Sequence, residues 1–425
     1  MKKTIICCMF LLFSSASAQE KTYKNYVHHV LEGRKAEQNK DYHTALRHFK
    51  KVTKITPYDP KRYYEISAFQ ARLHQTDAAA ENLARSLMLG FDPGDELDPV
   101  FSDILEHPRF PEIRKMLEDI KKPVCNSRAA FTLPEKDLIP EGMAYDKKDG
   151  SFYFGSIWKC KIIKVDKQGN VSDFTSEKQD GMRVILGMEV DAQRRELWVA
   201  SAVGSARPDI SDSEIGWSGI FRYSINTGLL IHKYTIREDS VYHFFNDLTI
   251  TPAGDVFITD TYDGSVYRVS AASDRLELYL KDEALIYPNG ICTNGNADAL
   301  YLSSSGDGVY KIDIATKERF LLAHHENISM YGIDGMYFYD NSLVCIQNGL
   351  QRVSRFYLDE EGNSVLNMEI IESRNPVFNW PTTGAVVDDS FYYIGNSQIR
   401  SFNPDGSVFP PEKLDEVVIL RTELD

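Results

Sequence analysis

Six short strand-like runs, each opened by a small motif at near-constant spacing, constrain this chain more than any other feature. The motifs are Glu141-Gly142, Leu186-Gly187, Asn246-Asp247, Asn289-Gly290, Asp334-Gly335 and Thr383-Gly384, and their second residues stand 45, 60, 43, 45 and 49 apart. Runs such as SFYFGS, ELWVAS, DVFITD, ALYLSS, SLVCIQ and SFYYIG follow turns rich in Asp, Asn or Gly. Alternation at period two between such turns predicts β-strands. A repeat of roughly 40 to 50 residues is the length of a four-stranded propeller blade. The chain is therefore expected to form an all-β six-bladed propeller over 140–425, its closure leaving only short, protected edges.

The preceding segment has a different texture. Residues 22–120 carry apolar positions at spacings of three and four, without Gly-Pro punctuation at strand spacing, which predicts a small all-α domain. An offset of 34 maps Gly33 to Ser67, Tyr42 to Thr76, Ala45 to Ala79 and Phe49 to Leu83, a pattern resembling tetratricopeptide repeats. Two such repeats are too few to stand alone, so residues 98–120 are expected to cap them. Lys121-Lys122-Pro123 ends the helical part, and 121–139 reads as a linker.

The first residues read as an export signal. Lys2 and Lys3 precede the apolar run Ile5 to Phe13 and a small-residue cleavage site, expected after Ala18. That run is about half the roughly 20 residues a spanning helix needs, so no membrane insertion is expected. The mature chain would be periplasmic or secreted. It retains Cys125, Cys160, Cys292 and Cys345, with no zinc-type spacing, and the last three lie in apolar stretches as expected buried thiols. A net charge of −14 leaves little to attract nucleic acid, which needs positive charge to release counterions.

In a propeller each innermost strand begins at the same end of the central channel, so the opening residues face one axial point. These are Glu141, Leu186, Asn246, Asn289, Asp334 and Thr383. Taken singly, Asn-Gly and Asp-Gly are common turn dipeptides. Two carboxylates and two carboxamides at the same blade position instead suit a hard divalent cation, Ca²⁺ before Mg²⁺, Mn²⁺ or Zn²⁺, with water completing the shell. Without a cation the carboxylates would repel and one would hold a proton.

From Glu141 to the C-terminus the chain resembles the regucalcin–gluconolactonase, or senescence-marker-protein-like, family of six-bladed propellers. PEGMAYD, FFNDLTITPAG, YPNGI and GIDGMYF are similar to its four site motifs. The resemblance implies one divalent metal on Glu141, Asn289 and Asp334, with Asn246 facing metal and substrate. It further implies hydrolysis of a lactone or related ester, with Asp334 accepting a proton from the attacking water. Sugar-lactonase members place an Arg where this chain has Phe244, so an apolar lactone or ester is the better fit to Phe244 and Phe245. His243, three residues before Asn246, has an intrinsic pKa suited to general acid–base work. No G-x-S-x-G, H-E-x-x-H or phosphate loop is present.

The 60-residue spacing reflects an insertion, roughly Ala202 to Ser218, expected beside the metal as a lid with Trp217 over the site. Two functional expectations stand. One is an exported, metal-dependent lactonase or esterase whose helical repeats hold a protein partner. The other is a non-catalytic, metal-containing propeller serving as a ligand- or protein-binding module, because one architecture hosts many functions.

Overall fold

The computed structural model describes residues 22–205 and 207–424, and the expected signal segment lies outside them. The helical part comprises α1 (Tyr23–Gln38), α2 (Tyr42–Ile55), α3 (Pro60–Arg72), α4 (Thr76–Met88) and α5 (Phe110–Ile120), with a 3₁₀ segment at Pro99–Glu106 before α5. Side chains of Thr22, Asp41 and Asp59 cap α1, α2 and α3 by accepting exposed first-turn N–H groups. The helix pairs recur with the 34-residue offset read from the sequence. Ala45, Phe49, Ala79 and Leu83 are all completely buried. Gly33 lets α1 cross α2, since a Cβ there would stand 2.6 Å from the Phe49 ring.

Six antiparallel sheets of four core strands follow, each beginning with an innermost strand: Pro140–Asp146, Val184–Asp191, Phe245–Ile250, Pro288–Thr293, Ile333–Tyr339 and Gly384–Val387. Each inner strand packs on the next, and the sixth on the first, closing the ring. One apolar cluster fills every gap between neighbouring blades. The core therefore lies between sheets, which is why the second strands of the first five blades are buried along their whole length.

The segment expected to be a linker belongs to the propeller. Arg128–Leu133 pairs antiparallel with Val417–Glu423 as the outermost strand of the sixth blade, and Val124–Cys125 extends the fifth. Its outward exposure over Arg128 to Ala130 removed the alternation that marks the other strands. The four cysteines of the described chain are unpaired, three of them buried. Among the described residues no helix is long and apolar enough to cross a membrane.

The helical layer sits on the propeller rather than beside it. The Tyr23 backbone N–H donates to Glu283 O at 2.9 Å and that of Tyr58 to Gly306 O at 3.1 Å. The Tyr58 ring meets His324 at 4.3 Å, and Arg374 pairs with Asp92. The first three of these partners lie in loops that feed the inner strands of blades four and five, or that join the second and third strands of blade four. The helices thus dock on the face where the inner strands begin.

Candidate metal centre and its mouth

Five of the six opening motifs are bulges rather than turns. Pairing of the first and second strands slips at Pro140/Gly142, Ile185/Met188, Phe245/Leu248, Pro288/Ile291 and Ile333/Met336. A bulge re-aims the extra residue, here toward the axis. The glycines serve close approach: a Cβ on Gly142 would lie 1.9 Å from Leu186 O, and one on Gly290 2.3 Å from Asp334 O. Inner strands crowd at the ring's narrow centre, and only a residue without a side chain fits between them.

Three blades share a further device. Ile139, Tyr287 and Gly332 all have left-handed backbones, with φ of 45°, 49° and 64°. Each stands two residues before Glu141, Asn289 or Asp334 respectively. A β-branched residue at positive φ is an outlier, and such strain concentrates at functional sites.

The structure brings Glu141, Asn289 and Asp334 together. Asn289 Nδ2 donates to Asp334 Oδ1 at 2.8 Å, and Asn348 Nδ2 donates to Oδ2 at 2.7 Å. Asn246, 8% exposed, is fixed by its own amide donating to Thr261 Oγ1 at 3.0 Å, and that hydroxyl donates to Pro288 O. Leu186 instead packs in the core between blades two and three. Thr383 donates its hydroxyl to the Glu141 carbonyl, which ties the sixth blade to the first.

Asn348 was missed by the sequence reading, where Asn348-Gly349 looks like an ordinary turn. The register pairs Ile333 with Gln347, so the end of the second strand necessarily adjoins the start of the first. That hairpin arithmetic was the available signal.

Burial pushes the Glu141 carboxyl well above its usual range, and the charges of Asp334 and Asp247 push it further. Burial raises Asp334 to about 6 despite the two carboxamide hydrogen bonds that lower it. Glu141 Oε2 is buried without a hydrogen-bond partner. Buried polar atoms are almost always satisfied, so a carboxylate oxygen without a protein partner beside a second carboxylate suits a bound cation. The donors are all oxygens of Glu, Asp and Asn, which suit a hard divalent ion.

His243 does not join this group. Its Nδ1 lies 2.6 Å from Asp260 Oδ2, and the ring is packed edge-on to Tyr267 within blade three. Burial by itself lowers its pKa, but the Asp260 hydrogen bond and the charges of Asp260, Asp263 and Glu238 produce a net rise. His243, Asp260 and Asp263 cluster tightly, yet Lys281 already neutralises Asp263 at 2.6 Å. Phe245 is likewise interior and completely buried, leaving Phe244 as the half-buried ring of the pair.

The insertion does lie on the site's face. Gly204 packs on Phe244 and Tyr262, and Arg207 bonds Ile157 O and Trp158 O, both at 2.7 Å. Trp217, expected over the site, packs instead against Phe221 within the core between blades one and two. The far end of the channel holds a cavity of about 380 Å³ lined in part by Met143, Glu189, Asp247 and Tyr337.

A family model described as the SMP-30/gluconolactonase/LRE-like region matches residues 139–374. No curated protein matches the chain. Among solved structures, a gluconolactonase from Xanthomonas campestris is similar over 71% of this chain and 91% of its own, at 15% identity and TM-score 0.48. A luciferin-regenerating enzyme is similar over 71% and 96%, at 15% identity and TM-score 0.48. A streptogramin B lyase covers 70% and 97%, at 15% identity and TM-score 0.45. Likeness this distant says nothing of substrate. The family match spans more than half of the chain and includes every residue assembled at the axis except Thr383, so the chain belongs to the SMP-30/gluconolactonase/LRE-like family.

Proposed function

We propose that this protein is an exported, divalent-metal-dependent hydrolase of a lactone or related ester, with Ca²⁺ as the favoured ion on Glu141, Asn289, Asp334 and Asn246. The observation that carries the reading is the Glu141 carboxylate, buried beside Asp334 with one oxygen left without a partner. A cation bound there supplies Lewis-acid polarisation of a carbonyl and a water of lowered pKa. The chain's own residues do the rest. Asn289 and Asn348 orient the Asp334 carboxylate from both sides, so that it presents one fixed geometry. Asp334 can take a proton from the attacking water and return it to the leaving alkoxide, as general bases near neutral pKa do. Asn246, held by Thr261, positions the substrate carbonyl from the third blade.

The test follows proton release from lactones and aryl esters by the intact protein, with and without chelator, alongside Asp334→Ala. Hydrolysis that chelator abolishes and Asp334→Ala lowers by roughly a thousandfold or more is expected, since metal and proton acceptor are lost together. A metal-loaded protein that turns over nothing in the panel would reassign the fold to a metal-containing binding propeller, with the helical layer as the place to seek a protein partner.

A further inference from the structure

The helical layer looks like an appendage in sequence, yet it reaches the loops that hold the candidate ligands. Tyr287, two residues before Asn289, meets Tyr23 of α1 at 5.2 Å and Tyr26 at 6.0 Å, both edge-on, and the Tyr23 hydroxyl donates to that of Tyr287 at 3.3 Å. Tyr331 stands three residues before Asp334, and the Asp59 charge of the helical layer, with burial, raises its phenol pKa. Gln347 donates to Tyr331 O at 2.7 Å and is followed directly by Asn348. On the other side the Phe244 and Tyr262 rings meet at 5.0 Å, tilted by 32°, with Gly204 of the insertion against both. Aromatic rings therefore line the loops at the mouth on blades three, four and five, with α1 seated against the one on blade four.

These rings are not ordinary core. Tyr262 is 36% exposed, and the others are half-buried although they sit in connecting loops or on α1. The left-handed backbone of Tyr287 holds its ring in place before Asn289. The charges nearby are already committed. Arg62 is neutralised by Asp59 at 3.2 Å and Glu65 at 2.7 Å, and Arg207 by Asp209 at 2.7 Å. Neither guanidinium on these two walls is left to hold an anionic or polyhydroxylated substrate, whereas half-exposed rings favour flat apolar surface.

We propose that α1 completes the substrate mouth, and that the wall of Phe244, Tyr262, Tyr287, Tyr26 and Tyr331 selects a neutral lactone or ester bearing an aromatic or similarly apolar ring. This rests on the reading of the axial centre as catalytic, and the test separates the two. The intact protein is given γ-butyrolactone and its γ-phenyl derivative, and calorimetry follows binding of 2-phenyltetrahydrofuran, a neutral analogue that cannot be hydrolysed. The phenyl lactone should be preferred by about tenfold or more in kcat/KM, about the worth of one good aromatic contact. Tyr26→Ala should erase that preference and weaken the analogue about tenfold, so that it loses about tenfold more kcat/KM on the phenyl lactone than on γ-butyrolactone. Tyr26→Phe, which keeps the ring and the packing, should retain both.

Equal turnover of the two lactones by the wild type, or equal losses on both in Tyr26→Ala with an unchanged melting temperature, overturns the wall and leaves the hydrolase. Analogue binding that Tyr26→Ala abolishes, in a protein that hydrolyses neither lactone, supports the wall and overturns the hydrolase. Should Tyr26→Ala fail to fold, Tyr262→Ala makes the same test from the propeller side.

Discussion

Both ends of the central channel bury carboxylates, but they leave them in different states. Toward the far mouth, Asp247 accepts the backbone N–H groups of Leu248 at 2.9 Å and Ile291 at 3.2 Å, and Glu189 accepts that of Ile250 at 3.2 Å. At the docking face, Glu141 Oε2 accepts nothing, and Asp334 is held only by side-chain amides. Each end carries two carboxylates, Glu141 and Asp334 being the more deeply buried pair. What separates them is whether the fold itself uses the oxygens. A carboxylate bonded to its own sheet is a structural acid, while one left open beside another acid is arranged for something that arrives later.

The sharpest way to break that contrast is to neutralise one acid at each end. Glu141→Gln should weaken cation binding by about a hundredfold, because the orphaned oxygen contributes charge that an amide lacks. In chelator the same variant should melt higher than the wild type, having lost a like-charge neighbour of Asp334. Glu189→Gln should leave cation affinity untouched. Comparable losses of affinity in both variants would mean the two ends form one site.

His243→Ala provides the next largest effect. It strips the imidazole from buried Asp260, which keeps only the Phe244 and Asp263 N–H donors, and is expected to cost about 3 kcal/mol of stability by denaturant titration. The pH dependence of kcat should not change, and a profile that shifts would return His243 to the chemistry.

The smallest effects concern pH. Burial raises Glu189 to about 8, with the Asp247 charge adding to the rise. The folded state therefore holds this proton more tightly than the unfolded chain, whose Glu titrates near about 4.3. Stability should fall as pH rises from about 4 to about 8 and level off above, and Glu189→Gln should remove that slope. Because Glu189 keeps some exposure at the mouth, the gain at about pH 9 is expected to be only about 1 kcal/mol. Asp334, at about 6, should add a second, metal-suppressed decline between about pH 4 and about pH 6. A stability curve flat across this range, with chelator present, contradicts both assignments.

Much of this was legible in the chain. Six blades could be counted because the period-two alternation and the opening motifs repeat locally, and Glu141, Asn246, Asn289 and Asp334 could be placed because ring symmetry maps equivalent positions to one axis. Leu186 and Thr383 occupy the same position yet pack and tie the ring, which only neighbouring blades decide. Arg128–Leu133 escaped because its partner strand lies at the opposite end of the propeller. The contact between α1 and the Tyr287 loop escaped for the same reason: no local pattern records which surface a helix will meet. Phe245 was misplaced because adjacent residues on a strand point to opposite sides, and Trp217 because it lies in the loop just before the strand Ser218–Ser224, where no alternation fixes its direction.

The strand Arg128–Leu133 has a consequence for how the ring is made. Its partner, Val417–Glu423, is synthesised almost a whole propeller later. Until then the sixth blade has no closing edge, and five finished blades must wait as an open arc with an unpaired strand at one end. Ring closure is thus the most non-local event in the chain and the one most prone to slow assembly and to edge pairing with other nascent copies. The helices end at residue 120, close in sequence to that strand, and sit on blades four and five in the folded chain, so once those blades have formed, helix docking would keep the strand near the arc.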